Sequence, residues 1–186
     1  MRIISGKFKG KRLNFLKNNS TRPLKDSVKE NIFNILTHSN EIHTKIENAN
    51  VLDLYSGIGS FGLECISRGV KNVTFVEKDK SALNILEENL IKLTVKNQSL
   101  IINDEIESSF NKIANKIYNI FFLDPPFKNI DFMQNLELIK KNKIYANDHV
   151  VIIHRERNSN DNFENLLKIF FFKEYGRSKV LFGKFN

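Results

Sequence analysis

Val51-Leu52-Asp53-Leu54-Tyr55-Ser56-Gly57-Ile58-Gly59-Ser60-Phe61-Gly62 decides how this chain folds. An apolar run, Val51 to Tyr55, reads as a buried strand. Two glycines then permit positive φ and close backbone approach to a ligand. Gly62 lets the following helix pack tightly on the sheet. Strand, glycine turn and helix in this order open a βα unit. Taken alone, a G-x-G-x-x-G match points first to a dinucleotide. Asp53 changes that reading, because dinucleotide folds usually place an apolar residue four positions before the first glycine. A carboxylate there attracts a ligand ammonium.

Downstream, apolar runs keep alternating with amphipathic segments. Strands are expected at 51–55, 73–77, 100–103, 118–123 and 150–154, with helices at 60–68, 81–93, 106–116 and 132–141. That alternation implies a parallel sheet with right-handed crossovers. The tail differs. Residues 169–175 and 178–185 flank Gly176-Arg177 and read as an antiparallel hairpin. The expected architecture is α/β, a mostly parallel seven-stranded sheet closed by a C-terminal hairpin. Ahead of it, residues 2–5 and 11–15 read as two short strands around Gly6 and Gly10. A helix with Val28, Ile32, Phe33, Ile35 and Leu36 on one face follows Pro23. This divides the chain into a basic extension, residues 1–40, and a ligand-binding domain, residues 41–186.

Two of the three prolines stand together in Asp124-Pro125-Pro126-Phe127. Proline cannot donate to a sheet ladder, so the strand stops and Asp124 is presented at its carboxyl end. In open α/β sheets, ligands bind there. Pro125 and Pro126 offer only carbonyl acceptors, Asp124 adds a carboxylate, and Phe127 adds a flat apolar face. Such an edge suits a planar group carrying an amine.

Three acids fall at consecutive strand ends. Asp53 suits an amino-acid ammonium. Glu77, twenty residues after Gly57, has two oxygens suited to the 2′ and 3′ hydroxyls of a ribose. Asp104 suits an adenine amine. Amino acid, ribose and adenine together describe S-adenosylmethionine. Tyr55 and Lys78 adjoin these acids and are counted with Gly57, Gly59 and Gly62 as cofactor-site candidates. Each acid also has a structural alternative: a loop cap for Asp53, pairing with Lys78 for Glu77, a helix N-cap for Asp104.

The net charge is +8, and it is segregated. Residues 1–30 hold nine Lys or Arg against Asp26 and Glu30, so nearly all the excess lies there. A basic arm on a balanced body points to a polyanion. Arg2, Lys7, Lys9, Lys11, Arg12 and Arg22 are its candidate phosphate contacts. Cys65 is the only cysteine. It reads as a small buried hydrophobe on a helix, which excludes a disulfide within the chain and a cysteine metal cluster. No apolar run approaches the length of about 18 residues that spans a membrane. No metal is expected, and a reducing cytoplasmic setting fits.

With these motifs placed, the chain resembles the bacterial 16S ribosomal RNA guanine-N2 methyltransferase family, the methyltransferase D type that acts on small-subunit rRNA. Arg2-Ile3-Ile4-Ser5-Gly6-Lys7-Phe8-Lys9-Gly10 and Thr21-Arg22-Pro23 with Phe33-Asn34-Ile35-Leu36 carry the specific part of the likeness. Asp53 to Gly62, Phe75-Val76-Glu77-Lys78-Asp79 and Asp124 to Phe127 carry the rest. The resemblance implies a Rossmann-like class I S-adenosylmethionine-dependent methyltransferase fold. It implies methyl transfer to a guanine N2 of 16S rRNA, in the small ribosomal subunit or its assembly intermediate, by a monomer. Asp124, Pro125, Pro126 and Phe127 would be catalytic. One departure stands at the fifth strand end, where His154-Arg155 replaces the acid such proteins often carry, and His154 is expected to be a surface or loop residue. A DNA adenine-N6 methyltransferase, a nicotinamide-dependent oxidoreductase and a non-catalytic RNA-binding assembly factor remain alternatives at this point.

Overall fold

The computed structural model describes residues 1–16, 24–127, 129 and 131–186. Arg22 and the Thr21-Arg22-Pro23 motif lie outside the described residues. Five strands run parallel: β1 (Asn50–Leu54), β2 (Asn72–Glu77), β3 (Ser99–Asn103), β4 (Tyr118–Leu123) and β5 (Tyr145–Glu156). The hairpin β6 (Leu167–Tyr175) and β7 (Ser178–Phe185) adds antiparallel to β5, giving the order β3-β2-β1-β4-β5-β7-β6. The helices are α1 (Asp26–His38), α2 (Ser60–Ser67), α3 (Lys80–Lys92), α4 (Ile106–Ile113) and α5 (Phe132–Asn142). None of them is long and apolar enough to cross a membrane.

The strands are apolar throughout because both sheet faces are covered. Along β1 the side chains alternate between two cores. Val51 packs with Phe33, Phe61 and Phe122 on one face, and Leu52 and Leu54 pack with Phe110, Phe132 and Leu136 on the other. Helix α2 must approach the sheet closely. A side-chain carbon at Gly62 would lie 2.3 Å from the Phe75 ring. After β1 the chain winds outward to β2 and β3, and later returns to β4 on the other side of β1. The crevice at this reversal, between the carboxyl ends of β1 and β4, is where the fold can take a ligand.

Two expectations are corrected. Strand β5 begins at Tyr145, five residues earlier than the apolar run suggests. Between Tyr118 and Ile120 its pairing with β4 slips, from Tyr118–Tyr145 to Ile120–Val150. The polar stretch 146–149 occupies that irregularity and therefore carries no strand pattern. The two N-terminal strands are reduced to a narrow hairpin held by one bridge, Arg2 to Arg12. Much of its backbone bonds α2 instead. Ile4 and Ser5 N–H donate to Glu64 at 2.7 and 2.9 Å, and Lys7 N–H donates to the Ser67 carbonyl at 2.7 Å. Ile3 and Leu13 are buried in the core shared with α1 and α2.

Candidate active site

One cavity of about 680 Å³ opens at the carboxyl ends of β1, β2 and β4, within the size range of small-molecule sites. Its floor is Asp53, 1% exposed. Asp53 Oδ2 accepts the Gly62 N–H at 3.0 Å, while Oδ1 is buried without a partner among the described residues. Burial pushes this carboxyl well above the ordinary aspartate range, and the nearby Asp124 and Glu77 charges push the same way. An acceptor left open in that surrounding suits a cationic donor.

The turn beyond β1 is shaped by backbone geometry. Tyr55 has φ +59°, and its hydroxyl accepts the Asn135 side-chain N–H from α5 at 2.7 Å. Burial raises its pKa to about 12. Gly57 has φ +54° and open space where a side chain would stand. Gly59 has φ +80°, and a side chain there would meet Leu86.

Glu77 is more engaged than its strand-end position suggests. Oε1 accepts the N–H of Lys78 and of Asp79, and Oε2 accepts the Gly57 N–H at 2.8 Å. Its remaining acceptor capacity lies on Oε2, one lone pair rather than a free pair of oxygens. Lys78 pairs with Glu105 at 3.1 Å, and both line the cavity. Asp104 accepts Lys112 Nζ and the Glu105 N–H, each at 2.9 Å, and the Lys112 hydrogen bond lowers its pKa. The N-cap of α4 is Glu105, so Asp104 does not hold that place.

The opposite rim is the segment from Asp124 to Phe127. Asp124 N–H donates to the Leu54 carbonyl at 3.4 Å, which ties it to the end of β1. Pro125 is buried and Pro126 exposed. The Pro126 carbonyl accepts the Asn129 N–H at 2.8 Å and Arg155 Nη1 at 3.4 Å. His154 is the main correction. It is 7% exposed, not a surface residue. Its Nδ1 lies 2.8 Å from Asp124 Oδ1, and its ring meets Phe127 edge-on at 5.9 Å. Arg155 is buried too, paired with Asp161 at 3.0 Å and stacked over Phe132. The same strand-end rule that marked Asp53, Glu77 and Asp124 marks His154, the last residue of the apolar run in β5.

The cavity thus gathers Asp53, Tyr55, Gly57, Glu77, Lys78, Asp104 and Asp124 to Phe127. Gly59 and Gly62 stand behind it in the α2 packing. Arg2, Lys7, Lys9, Lys11 and Arg12 are exposed on the N-terminal segment, outside the cavity lining. That segment nevertheless supplies a wall through Met1, Phe15, Leu16 and Leu24, which the charge pattern alone did not reveal. No cluster of acids, histidines and cysteine able to hold a metal ion occurs among the described residues.

A parallel sheet reversed at its last strand, with its cavity at the β1–β4 switch point, is that of the Rossmann-like S-adenosylmethionine-dependent methyltransferases. The Escherichia coli protein yhhF, described as a methyltransferase, matches it with TM-score 0.83 at 26% identity, covering 100% of this chain and 97% of that one. The chain belongs to the family described as Conserved hypothetical protein 95, whose model matches residues 1–184. It is 36% identical over 160 residues to Ribosomal RNA small subunit methyltransferase D of Buchnera aphidicola subsp. Baizongia pistaciae, covering 86% of this chain and 78% of that protein. The Haemophilus influenzae protein of the same name is 33% identical over 159 residues, covering 84% of this chain and 79% of its own. The protein is an S-adenosylmethionine-dependent methyltransferase.

Proposed function

We propose that this protein methylates the exocyclic N2 amine of a guanine in 16S rRNA of the small ribosomal subunit or its assembly intermediate, acting as a monomer in the cytoplasm. One observation carries the reading. The acceptor edge at Asp124 faces the same cavity as the unfilled Asp53 oxygen and the Glu77 end of β2. The relatives named for small-subunit ribosomal RNA supply the substrate.

The residues fit a cofactor of three parts. Asp53 Oδ1 takes an ammonium, Glu77 Oε2 takes a ribose hydroxyl, and Asp104 takes an adenine amine. S-adenosylmethionine supplies an electrophilic methyl group on a sulfonium. Tyr55, Gly57 and Lys78 border the cofactor, and Gly59 and Gly62 hold α2 where the turn requires it.

A guanine amine is a poor nucleophile because its lone pair is delocalised into the ring. Asp124 and the Pro125 carbonyl accept its two N–H groups and aim the nitrogen at the methyl donor. The carboxylate also offsets the positive charge that develops on nitrogen. Orientation supplies much of the remaining acceleration. Pro126 and its carbonyl bonds hold the edge in shape. Phe127 stacks on an extruded base. Arg2, Lys7, Lys9, Lys11, Arg12 and Arg22 contact phosphates, with affinity that falls steeply with salt.

The test offers labelled S-adenosylmethionine with unmodified small-subunit particles, free 16S rRNA and duplex DNA. Mass spectrometry should place the label on one guanine N2 of the rRNA. Label on DNA adenine, or none on either RNA form, overturns the reading.

A further inference from the structure

Near its end, strand β5 carries two consecutive side chains, His154 and Arg155, that both reach the Asp124–Phe127 edge. Successive strand residues point to opposite faces. Arg155 holds the edge from one side through the Pro126 carbonyl, itself locked by Asp161. This contact places the backbone. His154, on the other face, meets two side chains of that edge: the Asp124 carboxylate at 2.8 Å and the Phe127 ring at 5.9 Å and 71°.

We propose that His154 is a positioning residue for Asp124, donating its Nδ1–H to Oδ1 so that Oδ2 is aimed at the substrate amine. An ionised carboxylate only accepts, so the proton between them belongs to Nδ1. The other ring nitrogen, Nε2, is buried without a partner among the described residues. A doubly protonated ring would bury an N–H with no acceptor, whereas a bare Nε2 leaves only an unused lone pair. The neutral Nδ1–H form therefore fits the site. A neutral donor orients the carboxylate without cancelling its charge, which the developing cation on nitrogen needs. The same ring backs Phe127, so the group that takes the amine and the ring that faces the base share one support.

This assignment rests on the functional reading above for its consequence, but not for its geometry. Two measurements separate them. Long-range proton–nitrogen NMR of the wild-type imidazole should show Nδ1 protonated and Nε2 bare. The reverse tautomer overturns the proposal whether or not the protein methylates RNA. In turnover assays, His154→Leu should lower kcat by up to about 100-fold, the cost of a misaimed reacting group. Its affinity for S-adenosylhomocysteine should be unchanged. His154→Asn keeps a donor near the Nδ1 position and should restore most of kcat. Wild-type kcat in His154→Leu, or no recovery in His154→Asn, overturns the proposal. Wild-type protein that methylates no RNA strikes the functional reading, and the tautomer then decides the contact on its own.

Discussion

Two buried carboxylates eleven residues apart meet opposite surroundings. Glu64 on α2 is fully buried and saturated with donors. It takes Ser5 N–H and Arg68 Nε at 2.9 Å on one oxygen and Ile4 N–H at 2.7 Å on the other, with Lys29 Nζ at 3.7 Å. Asp53 on β1 is just as buried but takes only the Gly62 N–H, and one oxygen has no partner among the described residues. A buried charge whose donors are all supplied by the chain is an anchor. One whose donors are incomplete is waiting for a donor from outside. Glu64 fastens the N-terminal segment to α2, and Asp53 floors the cavity.

The contrast is broken most severely by Glu64→Ala. That change strands Lys29, Arg68 and two backbone N–H groups, and should cost about 3–5 kcal/mol of stability in urea unfolding. A loss under about 1 kcal/mol would mean Glu64 is no anchor. Asp124→Ala should act the other way. Turnover should fall by about 100-fold or more, roughly 3 kcal/mol in the barrier, while S-adenosylhomocysteine affinity holds and stability falls by no more than about 1–3 kcal/mol, for the His154 N–H left unpaired. Wild-type turnover would remove Asp124 from the mechanism.

Asp53→Asn sharpens the contrast, because it discards a charge the fold leaves half paired. Stability near neutral pH should hold or rise, because the change removes a carboxyl whose charged form burial disfavours, while cofactor affinity should weaken by about tenfold, the worth of a charged hydrogen bond. The pH dependence follows from the raised pKa. Above the ordinary aspartate value of about 3.9, the folded carboxyl still holds its proton while the unfolded one has lost it. Stability therefore falls as pH rises through the window up to the folded pKa, and is level beyond it. Asp53→Asn should flatten that slope, and an unchanged slope would assign it to another group. The smallest effect is expected from Lys7, Lys9 and Lys11 changed together to Ala. Stability should not move, but the slope of log affinity against log salt should flatten by about 2, for three lost single-strand phosphate contacts. An unchanged slope would take the arm off the RNA.

The strand-end acids were legible because the marks are local. Asp53 interrupts an apolar run near its end, Glu77 and Asp124 each close one, and the structure brings all three to one cavity. His154 closes such a run as well, yet reads as a surface residue. Its contact comes from thirty residues away, through the pairing of β4 with β5. Lys29 misleads for the same reason. It counts toward the basic arm in the sequence, but it is fully buried, facing Glu64 and donating to the Arg2 carbonyl at 2.8 Å. Burial lowers its pKa, so it belongs to the anchor and not to a phosphate-binding surface. Glu77 shows a subtler limit. Its place was legible, but not that three backbone N–H groups already occupy most of its acceptor sites.

By itself the sequence determined the α/β alternation, the closing hairpin, the positive-φ turn at Gly57 and Gly59, and the acids at the strand ends. Periodicity, turn chemistry and proline stops act over a few residues and need no knowledge of what packs against them. Only the tertiary structure decided which buried charges are complete and which are open. A charge's donors arrive from elements remote in the chain, as Ile4 and Ser5 reach Glu64 and His154 reaches Asp124. Spacing along the sequence carries no record of that meeting, because it is set by how helices and strands pack, not by their neighbours in line.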